Sequence, residues 1–163
     1  MRVGVVHTVN SICRCADAIA DGLRALGHEP LLADSEDMES LAWELARGCD
    51  LIIDHTDTFR GRGLYRALVR MLLESRGGRL VGSGGTACLL ADDKAAAKAR
   101  LAAAGIPTPP GIVLAGNDWS LPPWVKPPLV LKPAFEHMSR GGSRCPPRAE
   151  ERECRPALPG KPG

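Results

Sequence analysis

Short apolar runs, each bounded by polar or turn-forming residues, recur along the first half of the chain with room for one helix between them. Arg2 to His7 (RVGVVH), Pro30 to Ala33 (PLLA), Leu51 to Ile53 (LII) and Leu80-Val81 are too short for buried helices and suit buried strands. The intervening stretches carry helical spacing. Ala16, Ile19, Ala20, Leu23 and Leu26 follow a cap at Asn10 or Ser11, and Gly27 supplies the stop. Leu41, Ala42 and Leu45 share a face behind a cap at Ser35, ending near Gly48. Leu64, Leu68, Met71 and Leu72 line a third helix closed by Gly77-Gly78. The order β-α-β-α-β-α-β predicts an α/β fold, a parallel sheet flanked by helices on both faces with right-handed crossovers.

The pattern changes after Gly82. Asp92 to Ala104 reads as an alanine-rich helix stopped by Gly105 and Pro107. Pro109 to Leu114 and Leu129 to Lys132 read as strands, separated by a turn-rich connection with four prolines from 117 to 128. This predicts a first α/β domain over 1–90, the start of a differently built α+β unit over 91–141, and a tail over 142–163. Residues 141 to 163 hold five prolines, four glycines, five Lys/Arg, three Glu and one large aliphatic residue, Leu158. That composition cannot bury a core and is expected to stay disordered. Its charge of +2 equals that of all 163 residues, so the remainder balances to zero and the basic excess carries no nucleic-acid signal. No apolar run reaches the ~18 residues of a membrane span, and Met1-Arg2 is followed by no long apolar leader segment. A cytoplasmic protein with reduced cysteines, without nucleic-acid or membrane partners, is expected.

The chemistry-bearing residues sit at particular places in this order. In open parallel sheets, ligands bind beyond the carboxyl ends of the strands. His7 ends the first strand and His55 follows the third, in a polar loop with Thr56, Asp57 and Arg60, which makes His55 a candidate site residue. Gly82-Ser83-Gly84-Gly85-Thr86-Ala87 matches G-x-G-x-x-A but follows the fourth strand, with no acid about 20 residues on for a ribose. A tight glycine turn explains it better. Cys13, Cys15, Cys49, Cys88, Cys145 and Cys154 show no C-x-x-C, and no histidine pair has zinc-like spacing. No metal ligands and no catalytic residues are assigned. Lys94 opens the alanine-rich helix and Lys132 ends a strand. Each is a compact cation suited to phosphate. The loop after Lys132, with Ser139, Arg140, Gly141 and Gly142, offers hydroxyl, cationic and backbone donors for phosphate oxygens.

Taken as a series, these pieces carry a resemblance. Asp54-His55, Gly82-Ser83-Gly84, Asp93-Lys94, Ala104-Gly105-Ile106-Pro107-Thr108-Pro109 and Val130-Leu131-Lys132-Pro133 resemble the D-alanine–D-alanine ligases and their ATP-grasp relatives over roughly residues 1 to 141. The resemblance implies a pre-ATP-grasp-like first domain and an incomplete ATP-grasp central subdomain. It implies an ATP-dependent carboxylate–amine ligase, in which ATP phosphorylates a carboxylate and an amine displaces the phosphate. It would make Lys94, Lys132, Glu136 and Ser139 ATP-binding residues, the last two in a mobile phosphate-covering loop, and His55 a substrate-binding residue. The partners implied are a nucleotide and a small amino-acid-like substrate, with a homodimer as a possible assembly. ATP and Mg2+ are the implied cofactors. The family carries its Mg2+ ligands in a C-terminal domain, so those ligands are expected to be absent from this chain, which reads as an early-ending fragment inactive alone. The alternative is a non-catalytic α/β module that binds a small ligand or a protein.

Overall fold

Val3, Gly4, Val5 and Val6 are all buried, so the strand they form, β1 (Arg2–His7), is covered on both faces. Burial of a whole strand rather than alternate residues is the mark of a parallel sheet enclosed by helices. Fully burying each valine is worth about 1.5–3 kcal/mol. The computed structural model describes residues 1–8, 14–115 and 120–135, together with the backbone of residues 143–145. It divides into two units, Met1–Asp92 and Asp93–Gly163.

In the first unit β1 is the central strand. It pairs in parallel with β2 (Glu29–Asp34) on one side and β3 (Leu51–His55) on the other. Between them run α1 (Cys15–Ala25) and α2 (Met38–Gly48), the latter entered through a short 3-10 turn. α3 (Arg66–Ser75) and α4 (Gly85–Asp92) follow. The register sets Gly4 beside Leu31 and Ile52, and Val6 beside Ala33 and Asp54. Neighbouring partners share a face. That face packs on α2 and α3, where Val6, Ala33, Met38, Ala42, Leu45, Ile52, Val69 and Leu73 form one buried cluster. Gly4 leaves room for it, because a Cβ there would lie 3.2 Å from Leu45 and 3.3 Å from Cys49. The opposite face carries Val3, Val5, His7, Asp34 and His55.

The expected α/β fold, a small parallel sheet with helices against it, is therefore present, but the expected fourth strand is not. Leu80 makes a single parallel bridge to Ile52, and Val81 donates its N–H to the Ile52 carbonyl at 2.9 Å. The pairing stops there because Gly82 turns left-handed (φ 92°) and the Arg70 side chain takes the Val81 carbonyl.

The glycine stops fall where the sequence places them. α1 ends with Gly27 at φ 76°, its N–H on the Arg24 carbonyl and that of His28 on Leu23. Gly77 repeats these two bonds after α3, and Gly105 after α5 (Lys94–Ala103). This double bond satisfies two orphan carbonyls and needs a left-handed residue, which glycine adopts without steric cost. The starts differ from expectation. Asn10 and Ser11 lie outside the described residues. Ser35 is not a cap; it is fully buried, and Asp34 caps the turn by accepting from the Glu36 N–H at 3.0 Å. Asp92 does not begin the alanine-rich helix. It ends α4, and Asp93 caps α5 with bonds of 2.9 and 3.0 Å from Ala95 and Ala96. On α3 the buried residues are Ala67, Val69, Arg70 and Leu73, while the expected core residue Leu68 is exposed.

In the second unit β4 (Leu129–Leu131) forms an antiparallel pair with β5 (Ser143–Cys145). Residues 143–145, assigned by composition to the tail, thus supply a strand. Pro109 to Leu114 is not a strand. Cys49 and Cys88 are free thiols, whereas Cys15, expected to be reduced, is disulfide-bonded.

Two outcomes follow from this packing. A Cβ at Gly85 would sit 2.5 Å from Met71 Cγ and 3.0 Å from the Met71 backbone nitrogen. Gly85→Ala should therefore push α4 off α3 and lower stability by about 1–3 kcal/mol in urea denaturation. Burial pushes the Cys49 thiol above its ordinary value of 9.0, against a smaller opposing effect of Arg2. A raised folded-state pKa means stability is intact below pH 9 and falls as the pH rises through the folded value. Melting temperatures from pH 7 to 10.5 should drop more steeply for the native chain than for Cys49→Ala.

Candidate functional site

The carboxyl edge of the parallel sheet is built by hydroxyls and arginines. Thr8, just past β1, donates its hydroxyl to the Thr58 carbonyl at 2.9 Å and accepts from the Asp57 and Thr58 N–H groups at 3.1 Å each. Ser35, fully buried beside β2, donates to the same carbonyl at 3.3 Å. Loops from all three strands therefore converge on one peptide. The segment after His55 has no regular ladder, so side chains satisfy its backbone groups.

His55 is half-buried at the end of β3, in register with His7, which pairs on its other side with Asp34. Parallel partners point to one face, so Asp34, His7 and His55 form a row along that edge. His55 Nε2 and the hydroxyl of Thr56 are buried with no hydrogen-bond partner among the described residues. Thr56 is 3% exposed. An unmade bond from a buried polar group costs about 1–3 kcal/mol, so two such atoms on consecutive residues are expensive unless something meets them.

Beneath this loop lie two arginines one turn apart on α3. Arg70 and Asp54 form an ion pair at 3.4 Å with both side chains under 9% exposed. Arg70 also donates to the carbonyls of Val81 and Ser83. Arg66 forms a forked pair with Asp92, Nε to Oδ2 at 2.6 Å and Nη2 to Oδ1 at 2.9 Å, and Nη1 reaches the Thr56 carbonyl at 3.5 Å. The Asp92 hydrogen bonds hold the Arg66 guanidinium above its usual pKa, outweighing the effect of burial. Neither arginine is identified by hydrophobic periodicity. The available signal was their i, i+4 spacing on an otherwise apolar helix, close to the sheet edge.

The glycine turn 82–85 is part of the same framework. Arg70 grips two of its carbonyls, and both Glu74 carboxylate oxygens accept from the Gly85 N–H, at 3.0 and 3.1 Å. The start of α4 thus meets a carboxylate of this chain. The glycines allow α4 to approach α3 closely, which agrees with the turn reading over the dinucleotide one.

In the second unit Lys94 and the segment after Lys132 come together. Lys94 Nζ donates to the Ala134 carbonyl at 3.1 Å, and the Lys94 N–H reaches the same oxygen at 3.2 Å. Lys132, two residues earlier, is exposed at the end of β4. Glu136 and Ser139 lie outside the described residues. Among the described residues no three histidine, cysteine or acidic side chains gather as a metal site, and no helix is long and apolar enough to cross a membrane.

No protein-family model matches the chain. Two curated proteins are similar to it. The D-alanine–D-alanine ligase of Halorhodospira halophila (strain DSM 244 / SL1) is 34% identical over 131 residues, 80% of this chain and 41% of that protein. The D-alanine–D-alanine ligase of Caulobacter sp. (strain K31) is 40% identical over 94 residues, 54% of this chain and 29% of that protein. The matched chain thus spans about two-fifths or less of the length of these relatives.

The Thr8 network is open to a direct check. Thr8→Val removes one donor and one acceptor shared by two N–H groups while keeping the side-chain volume. It should destabilise the first unit by about 1–3 kcal/mol and speed amide exchange at Asp57 and Thr58, read by hydrogen-exchange NMR.

Proposed function

The chain is related to the D-alanine–D-alanine ligases, and we propose that it is a ligase-like fragment whose two units are a pre-ATP-grasp-like domain and the start of an ATP-grasp central subdomain. In this reading it works in the cytoplasm on ATP and a small amino-acid-like substrate. The observation that supports it best is the pair of bonds from Lys94 to the Ala134 carbonyl. Two motifs separated by about 40 residues in sequence, Asp93-Lys94 and Val130-Leu131-Lys132-Pro133, meet there, as one nucleotide site would require.

Each lysine then has a distinct role. Lys132, exposed at a strand end, places a compact charge where phosphate oxygens can approach. Lys94 has one ammonium donor on Ala134 and so holds the strand exit while its charge adds to the local potential. Phosphoryl transfer is largely a matter of positioning and charge compensation, which such cations supply. ATP would provide the phosphoryl group that activates a carboxylate. His55, at the carboxyl edge of the other unit, would face the amino-acid-like substrate. ATP and Mg2+ are what the resemblance to the ligases implies, and no residue among those described is assigned to the metal. We expect the chain to bind nucleotide and to lack ligase turnover alone.

The test has two arms. Calorimetric titration with ATP should give binding that Lys132→Ala weakens about tenfold, the loss of one charge-assisted contact worth ~1.4 kcal/mol. Incubation with ATP, Mg2+ and D-alanine should release no ADP. Absence of any ATP binding would favour the alternative, a non-catalytic binding module. Turnover abolished by Lys132→Ala would overturn the expectation of an inactive fragment.

A further inference from the structure

The two residues flanking His55 are each held by a different arginine of α3. Asp54, before it, pairs with Arg70. Thr56, after it, donates its N–H to Asp54 Oδ1 at 3.1 Å and accepts from Arg66 at 3.5 Å. Arg66 and Arg70 are four residues apart and so lie on one face of the helix. Both also reach to the ends of α4 with further donors. Those of Arg70 hold the Val81 and Ser83 carbonyls ahead of α4, and those of Arg66 hold Asp92 at its end. Asp92 stands at a helix C-terminus, where the dipole disfavours a negative charge, and it is 3% exposed. A carboxylate in that position is explained by the fork it completes. A planar fork grips a carboxylate with two parallel bonds and still presents a donor to a carbonyl in a fixed direction, a geometry that the point charge of an ammonium does not fix.

We infer that Arg66 is a positioning residue for His55: it ties the Thr56 carbonyl to the Asp92 carboxylate and so fixes the backbone one residue past the imidazole, with Arg70 holding Asp54 one residue before it. The inference rests on reading His55 as the substrate-side residue. It adds that the imidazole is aimed from below by a helix that itself meets no substrate. Breaking the fork changes where His55 points before it changes whether the unit folds.

The experiment follows histidine ring cross-peaks by NMR in the whole chain at one fixed pH. His28, at the opposite end of the sheet, serves as the internal control. Arg66→Lys keeps the charge and loses the fork. It should displace the His55 cross-peak and broaden it, leaving His28 unmoved. Arg66→Met removes the fork and the charge together and should displace the same cross-peak. Asp92→Asn breaks the fork from its other end, should displace the same cross-peak, and decides the matter if Arg66→Met does not fold. His55 cross-peaks matching the native chain in folded Arg66→Lys and Asp92→Asn would overturn the inference, whatever their melting temperatures. Addition of D-alanine to the native sample tests the underlying reading separately. An unmoved His55 cross-peak would reject His55 as substrate-side while the variants still judge the clamp.

Discussion

The ion pair between Arg70 and Asp54 constrains the first unit more than any other contact. A buried charge is tolerated only when its partner and its remaining donors are satisfied. Arg70 meets that condition with three ligands from different places: the end of β3, Val81 just after the bridge at Leu80, and the turn at Ser83. Removing either partner strands a charge in the interior. The short β3, the abrupt end of pairing at Leu80 and the path of the glycine turn are all consequences of satisfying this one guanidinium. The pair does not add stability in proportion to its burial. It selects one arrangement of the sheet edge among several that the apolar cluster alone would accept.

The cluster sets the layers and the polar contacts set the details. Val6, Ile52, Leu45 and Leu73 bring α2 and α3 onto the same face of the sheet. Packing of this kind tolerates small slides, since apolar contacts have no direction. Direction comes from Thr8, Ser35, Arg66 and Arg70, each of which bonds to backbone in another segment. The loop carrying His55 is thus held in place without regular secondary structure of its own.

What the amino-acid order reveals follows the same division. The strand RVGVVH, the three glycine stops and the face of Ala42 and Leu45 are legible because they depend on local sterics and periodicity. The fourth strand is misread because Leu80-Val81 has the right residues, but a side chain eleven residues earlier takes the carbonyl needed to continue the ladder. Pro109 to Leu114 has β-branched residues without a ladder, as strand preference is realised only against a neighbour. The helix start at Asp92 is misplaced because two adjacent acids compete for one cap and only Asp93 has the geometry. In the site, His55 is legible from its place after a strand. Arg66 is not, because its role depends on Asp92 being carried back to it by a helix that the residues themselves barely announce.

The pairing of His7 with His55 has a consequence for how errors are detected during folding. Side chains along a strand alternate, so a slip of β3 by one residue exchanges the two faces. Asp54 would then join the row with His7 and Asp34, and His55 would be driven against Arg70. A misaligned strand would take Asp54 away from Arg70 and set an imidazole beside an unpaired buried guanidinium. The groups that give the sheet edge its chemistry therefore also proofread its alignment, and a chain that folds at all presents His55 on the correct side.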